Sequence, residues 1–175
     1  MGFDRIRKII SDRCSTEYAV ERTAAETFST NEKEIRRRLL LTDEMRLIVM
    51  FEESFPSNGY IDCVGFLQML ENSGANIDLT SLGKLRTMLE TLRKVSMFFS
   101  NIKDGVYPNL KRMVAQIALF PEVQQRIDSI LDKFGNVKDT ASDGLYDIGR
   151  QLKEKEGAVS KRINTILRKA QSAGL

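Results

Sequence analysis

Hydrophobic residues recur at spacings of three and four along most of the chain, which is the pattern of amphipathic helices. The pattern is clearest between Leu85 and Ile102, where it places the apolar side chains on one helix face: Leu85, Met88, Leu92, Val95, Phe99 and Ile102. We expect this helix to pack along its whole length. The alternation typical of strands is almost absent, so the predicted fold is all-α, with an irregular multi-helix core followed by one long helix.

Capping and turn residues predict where the other helices begin and end. A capping box at 29–32 opens a helix that reaches about Glu53, and the FPSNGY stretch at 55–60 turns the chain. Pro121 is expected to break the pattern that resumes at Pro108, because proline has no N–H to donate inside a helix. The remaining predicted helices cover residues 3–13, the segment from a Ser15 or Thr16 cap to about Phe28, Cys63 to Leu70 with an end at 72–76, and a segment that contains Val123, Ile127, Ile130 and Leu131.

The stretch GNVKDTASDGLYDIGRQL, residues 135–152, is predicted to end one helix and start the next. Gly135 can adopt positive φ without strain, as the residue after a helix commonly does. Ser142 can accept hydrogen bonds from the free amides of the following turn, and Asp143 places a negative charge at the positive end of the helix dipole. We therefore divide the chain into a helical core, 1–140, and a long helix, 141–175.

The long helix carries a narrow apolar seam uninterrupted by proline: Leu145, Ile148, Leu152, Val159, Ile163, Ile166 and Ala170. At ~1.5 Å per residue it would reach about 50 Å. A narrow seam on so long a helix is typical of a coiled-coil-like arm. Gly149 and Gly157 each cost the helix about 1 kcal/mol relative to alanine, so we expect local weakness or bending at both.

Composition narrows the possible functions. Hydrophobic residues at 42% and charged residues at 29%, with 11 Gly and 3 Pro, are typical of a folded protein. The absence of histidine excludes the common metal sites and any Ser-His or Cys-His nucleophile pair. Cys14 and Cys63 are expected to be free thiols in a reducing compartment, and no apolar run approaches the ~20 residues that a membrane span needs. We therefore expect a cytoplasmic protein without a membrane partner.

The net charge of +3 arises in the long helix. Seven Lys and Arg follow Ser142 against four Asp and Glu, while the rest of the chain is balanced at 20 of each sign. Such an excess favours contact with the phosphate backbone, although a solvated helix face would have the same composition. The candidate nucleic-acid-binding residues are Arg150, Lys153, Lys161, Arg162, Arg168 and Lys169.

Other charged motifs have simpler interpretations. Arg36, Arg37 and Arg38 point in three directions from a helix and can pair with Glu32 and Glu34, so we expect a solvated face. The adjacent acids Asp43-Glu44 and Glu52-Glu53 are predicted to lie on the surface. The dipeptide Gly83-Lys84 lacks the remainder of a phosphate-binding loop.

At the junction, V-K-D-T-A-S at 137–142 followed by L-Y-D-I-G-R-Q-L resembles the start of the lever helix in the MutS family, specifically in its second bacterial subfamily. The segment F-D-R-I-R-K-I-I at 3–10 is similar to the opening of that subfamily. The resemblance implies a structural junction at Gly135, Asp139 and Ser142. It also implies that the chain is a fragment, with a helical core and the ascending part of the lever, cut before the clamp and ATPase domains.

For the intact protein, the resemblance implies a homodimeric DNA-binding ATPase. Such a protein acts in mismatch repair or in restraint of recombination on branched DNA, and in some cases on collided ribosomes. ATP, Mg and any endonuclease activity would belong to domains absent from this sequence. We expect no catalytic, cofactor-binding or metal-binding residue within it.

Two further hypotheses come from other classes. The chain could be a self-contained helical interaction module whose arm pairs with a partner helix or with itself. It could also be a small enzyme, which the lack of histidine, of a phosphate loop and of a metal cluster disfavours.

Overall fold

The computed structural model describes residues 2–72 and 74–172, and within these residues it is built from helices without a β-strand. The all-α prediction is confirmed. One 3-10 turn, Asp139–Ala141, precedes the last helix. The helices are α1 Phe3–Ser11, α2 Glu17–Ala24, α3 Glu32–Phe51, α4 Val64–Leu70, α5 Leu79–Asn101, α6 Pro108–Val114, α7 Pro121–Ile130 and α8 Asp143–Ser172.

Side-chain caps explain where α2 and α3 begin. Thr16, one of the two predicted caps, begins α2 by accepting a hydrogen bond from the Ala19 amide at 3.2 Å. The predicted capping box at 29–32 is wrong by two residues, because the side chain of Asn31 accepts from the Glu34 amide at 3.2 Å and starts α3 there. Ser29 instead accepts from the amide of Asn31 at 3.3 Å.

The predicted break at Pro121 is also corrected. Helix α6 already ends at Val114, and Pro121 is the first residue of α7. Proline suits that position, since its missing N–H would have no partner inside the helix and its φ is preset for helix. Residues 115–120 are therefore a connection between two helices.

The hydrophobic core lies where α3, α5 and α6 meet. Phe98 and Phe99 of α5 form edge-to-face pairs with each other and with Phe55, with ring centroids 5.2 to 6.4 Å apart. This arrangement places the positive ring edge against the negative ring face. The buried residues of the core are Ile48, Val95, Phe98, Phe99, Tyr107, Leu110 and Val114.

Helix α5 is not packed along its whole length, which corrects the prediction from its apolar face. Its buried residues all lie in the second half of the helix, from Thr91 onward. Leu85, Met88 and Leu92 are half-buried and line an open groove of about 550 Å³. The first half of α5 is less buried because α5 has 23 residues, whereas α6, which packs against it, has seven.

Glu44 is buried, so its predicted place on the surface is wrong. Its carboxylate, carried by α3, accepts hydrogen bonds from the amides of Asn109 and Leu110 at 3.1 and 2.7 Å and from the Asn109 side chain at 2.6 Å. These two amides are in the first turn of α6, where backbone donors have no partner within the helix and the dipole favours a negative charge. Glu44 therefore caps α6 from another helix.

A second long-range contact stabilises the start of α6. Tyr107 precedes α6 and has left-handed backbone geometry, with φ of 50°. This conformation is unfavourable for a bulky side chain and needs support from its surroundings. The buried ring joins the core, and its hydroxyl donates to Glu52 at 3.1 Å.

Gly59 allows the loop at 55–60 to approach α5. It has φ of +83°, and its carbonyl accepts a hydrogen bond from the Thr91 hydroxyl at 3.0 Å. An added Cβ would lie 2.4 Å from that hydroxyl oxygen. Glycine is therefore required both by the backbone conformation and by the close approach.

The chain divides into two compact units, Met1–Gln125 and Arg126–Leu175, and the boundary falls within α7. The division after residue 140 that the sequence suggests stays a prediction. Helix α8 continues through both Gly149 and Gly157. The end of the predicted long helix, residues 173–175, lies outside the described residues, as does the side chain of Ala170.

We predict that Glu44→Ala lowers the free energy of unfolding by about 3 kcal/mol, because it leaves buried donors at the start of α6 without an acceptor. Urea denaturation followed by circular dichroism measures the change. Glu53→Ala removes an exposed acid and is the matched control, expected to change stability by less than about 0.5 kcal/mol. Equal effects of the two substitutions would contradict the capping role.

We predict that Gly59→Ala destabilises the protein by about 2 to 3 kcal/mol, since it combines positive φ with a steric conflict at Thr91. Gly65→Ala is the control, because Gly65 lies in α4 with no atom near its added Cβ. It is expected to stabilise by up to about 1 kcal/mol. Thermal unfolding of both variants tests the difference, and a neutral Gly59→Ala would contradict it.

Candidate nucleic-acid interface

The segment before α8 is a hydrogen-bonded turn. Leu131 and Val137 form an isolated antiparallel bridge, and the Asp132 amide donates to the Asn136 carbonyl at 2.8 Å. The Asp132 carboxylate accepts from the amides of Phe134 and Asn136 at 2.8 and 2.9 Å. The hydrogen bond from the Asn136 amide, and then that from the Phe134 amide, lower the pKa of Asp132. These contacts define the path of the chain into α8.

Gly135 lies inside this turn and has φ of +86°. It does adopt positive φ, but it does not end a helix, because α7 stops at Ile130 and the bridge begins at Leu131. The glycine instead lets the chain reverse between the two bridged residues.

Ser142 and the 3-10 turn form the base of α8. Ser142 has extended backbone geometry, and its hydroxyl accepts from the Leu145 amide at 3.3 Å while its carbonyl accepts from the Tyr146 amide at 3.0 Å. This is the capping contact that the sequence predicts. Asp143 lies in the first turn of the helix.

Asp139 contacts the same helix from the side. Its carboxylate oxygen lies 3.4 Å from the Lys153 ammonium, and its carboxyl carbon would be 3.5 Å from a Cβ at position 149. Gly149 and Lys153 are one turn apart on one face, so the 3-10 turn packs against that face. The structure thus brings Asp139 and Lys153 together, a pairing that sequence reasoning missed because the two residues are 14 positions apart.

All six candidate phosphate-binding residues are exposed on α8, but they do not form one patch. At about 100° per residue, Arg150, Lys161 and Arg168 lie on the side opposite the apolar seam. Arg162 and Lys169 flank the seam on one side, and Lys153 lies towards the other.

The free cations are concentrated in the second half of the helix. Arg150 lies 3.8 Å from Asp147, and Lys153 contacts Asp139. No ion pair joins the other four candidates within the described part of the chain: Lys161, Arg162, Arg168 and Lys169. Because no acid occurs between 157 and 172, this half of α8 is the most positive surface on the helix.

The apolar seam of α8 is exposed. Its six described residues, Leu145, Ile148, Leu152, Val159, Ile163 and Ile166, have exposed fractions between 42% and 63%. A row of this kind is unusual on a soluble surface and indicates an interaction site.

The arginine cluster of α3 is already paired, as expected from its spacing. Arg36 contacts Glu32 at 2.8 Å, Arg37 and Arg38 contact Glu34 at 3.0 and 2.8 Å, and Arg38 also contacts Glu26. Hydrogen bonds from Arg37 and then Arg38 lower the pKa of Glu34 to about 2. These contacts favour a solvated helix face over a phosphate site.

The structure gives little support for a phosphate-binding loop or a metal site. Gly83-Lys84 lies within α5, so its amides are in helical hydrogen bonds and cannot cradle a phosphate. Among the described residues, no group of three or more acids or cysteines is arranged to hold a metal ion, and no helix is long and apolar enough to cross a membrane. Cys14 is half-buried and Cys63 is buried, and both are free, as predicted.

Comparison with known proteins finds MutS proteins as homologues, which confirms the resemblance. They bear the name endonuclease MutS2, the second MutS subfamily. No family model matches the chain.

The similarity covers most of this chain but a small part of each relative. It is 26% identical over 170 residues to endonuclease MutS2 of Listeria welshimeri, which is 96% of this chain and 22% of that protein. It is 31% identical over 139 residues to endonuclease MutS2 of Clostridium botulinum, which is 79% of this chain and 18% of that protein. It is 25% identical over 175 residues to endonuclease MutS2 of a Geobacillus species, which is 99% of this chain and 22% of that protein. The chain thus spans about a fifth of the length of the curated relatives that it matches.

We predict that the Glu34 carboxyl titrates near pH 2, well below the ordinary value of 4.5. A lowered pKa in the folded state means that its ion pairs stabilise the protein above the ordinary pKa, and that this stabilisation is lost as pH falls towards 2. Carboxyl carbon NMR measures the midpoint. Salt at about 1 M should shift it upward by screening the arginines, and a midpoint near 4.5 at low salt would contradict the paired geometry.

Proposed function

We propose that this chain forms the core and lever region of a MutS-type DNA-binding ATPase and performs no chemistry itself. The observation that carries the proposal is the 30-residue helix α8, which leaves a hydrogen-bonded junction and has an exposed apolar seam. The homology to MutS2 proteins over most of the chain supports the same assignment.

In this proposal α8 connects a DNA clamp to the ATPase domains of a longer protein. A continuous helix transmits displacement along its axis, because its backbone hydrogen bonds link every turn to the next. Such a helix must start in a fixed direction, and the Ser142 cap and the contacts of Asp139 hold the first turns of α8 in place. The hydrophobic core of α3, α5 and α6 stabilises the first of the two compact units.

DNA contact is assigned to the second half of α8. Lys161, Arg162, Arg168 and Lys169 are exposed and have no acid partner among the described residues, so they can neutralise phosphate without first breaking an ion pair. The contact would be independent of DNA sequence, since cations that bind phosphate carry no information about base edges. Arg150 and Lys153, which have acidic neighbours, would contribute less.

For the longer protein we propose a homodimer that uses ATP and Mg in domains outside this sequence. Its substrates would be branched or mismatched DNA, in mismatch repair or in the restraint of recombination. Action on collided ribosomes is the alternative for the same architecture. The name endonuclease belongs to the relatives, and no nuclease role is assigned to residues of this chain.

We predict weak, salt-dependent DNA binding and no ATP hydrolysis by the 175-residue chain. Fluorescence anisotropy with a four-way junction and a duplex control, from 50 to 200 mM salt, measures binding. Arg168→Gln/Lys169→Gln should lower the slope of log affinity against log salt by up to about 2, at ~0.9 per phosphate contact. Arg36→Gln/Arg37→Gln removes the same charge from paired residues and should leave the slope nearly unchanged.

The outcomes separate the parts of this proposal. Submicromolar binding at 0.2 M salt with preference for the junction would contradict a supporting role, because recognition would then lie in this chain. Absence of binding at 50 mM salt would contradict DNA contact by α8. ATP turnover by the purified chain would overturn its assignment as non-catalytic.

A further inference from the structure

The loop at 55–60 contains the only Asn-Gly pair in the sequence, Asn58 and Gly59. An asparagine followed by glycine can lose its side-chain amide without any enzyme, because the next backbone nitrogen attacks the side-chain carbonyl carbon. Glycine favours this attack, since it has no Cβ to crowd its own nitrogen and its backbone reaches many conformations. The pair is therefore a candidate site of spontaneous modification.

The surroundings leave both reacting groups accessible. Asn58 is exposed and borders an open cavity of about 590 Å³ beside α5, so water reaches its side chain and the side chain has room to rotate. Among the described residues, neither the Asn58 side chain nor the Gly59 amide has a hydrogen-bond partner. The Gly59 nitrogen can therefore lose its proton and approach Asn58 without the loss of an existing hydrogen bond.

Asn76 offers a comparison within the same chain. It is also exposed and lies in an irregular segment, before α5. The residue after it is Ile77, whose β-branched side chain crowds the backbone nitrogen that would have to attack. The two asparagines thus differ mainly in the residue that follows them, and Asn58 has the more reactive neighbour.

We infer that Asn58 is a site of spontaneous deamidation, and that the product loosens the loop at 55–60. The Gly59 nitrogen gives its proton to hydroxide and forms a bond to the Asn58 Cγ. The bond from Cγ to Nδ2 breaks, and Nδ2 takes up a proton from water and leaves as ammonia. Water then opens the succinimide ring at either carbonyl, which gives aspartate or isoaspartate. The reaction consumes one water, and no atom is oxidised or reduced.

Isoaspartate would disturb the loop because it adds one carbon to the backbone after position 58. The loop is held on both sides of this position, by Phe55 in the aromatic cluster and by the Tyr60 hydroxyl, which donates to the Pro56 carbonyl at 2.8 Å. Between them, the Gly59 carbonyl accepts from the Thr91 hydroxyl at 3.0 Å. A longer backbone therefore displaces Gly59 from Thr91 or Tyr60 from Pro56.

Peptide mapping by mass spectrometry, after incubation of the 175-residue chain at about pH 8 and 37 °C, tests the site. We expect conversion at Asn58 to be at least about tenfold faster than at Asn76, because Ile77 crowds its own nitrogen and Gly59 does not. Asn58→Gln should remove the product at this position, since glutamine closes the larger ring much more slowly. Conversion at Asn58 that is no faster than at Asn76 would overturn the site.

Thermal unfolding of the separated products tests the effect on the loop. We expect the isoaspartate form to melt about 4 °C or more below the unconverted chain. Asn58→Asp, measured when freshly purified, is the matched control, because it introduces the same carboxylate with a normal backbone. It should melt within about 2 °C of the unconverted chain.

The melting temperatures separate charge from backbone. An isoaspartate form as stable as the unconverted chain would overturn the loosening of the loop. An Asn58→Asp chain that melts as low as the isoaspartate form would assign the loss to the new charge and would overturn the backbone explanation.

Discussion

The carboxylate of Glu44 is the contact on which the core of this protein depends. It lies on α3 and satisfies the two free amides at the start of α6, 65 and 66 residues further along the chain. Because those amides need an acceptor once they are buried, α6 has a fixed position relative to α3. Leu110 and Val114 are thereby placed against Phe98 and Phe99 of α5, and the aromatic cluster with Phe55 closes over them. A polar contact thus determines how the apolar surfaces meet.

Helix α8 follows a different principle. Its base is held by local hydrogen bonds at Ser142 and by the approach of Asp139, while its apolar seam has no cover among the described residues. A helix with an exposed seam is stabilised by a partner, since isolated helices gain little from local interactions alone. The helix carries the apolar seam on one side and cations on another, so one helix can make both apolar and ionic contacts. The MutS2 proteins to which the chain is similar are much longer, and the chain spans about a fifth of their length.

The sequence predicted the helices better than their contacts. The spacing of Leu85 to Ile102 identified α5 as a helix with one apolar face. It did not show that the first half of this face lines an open groove, because that depends on α6, which is too short to cover all of α5. The sequence predicted that Glu44 lies on the surface, whereas it is buried. The prediction failed because the amides that donate to Glu44 are more than 60 residues away in the chain. In the candidate site, the basic composition of α8 was visible, whereas the pairing of Lys153 with Asp139 depended on how the junction turns. The phosphate contacts themselves stay predictions.

The sequence by itself determined the all-α class, a cap for α2 at Ser15 or Thr16, the Ser142 cap, the turn at 55–60, the charge of α8, and the resemblance to the MutS family. These features rest on interactions within a few residues, and the periodicity of side chains records them directly. Only the tertiary structure decided which acid is buried, which half of α5 is covered, and that the seam of α8 is exposed. Such features depend on donors and surfaces that are distant in the chain, and the identity of a residue does not specify which of them it will meet.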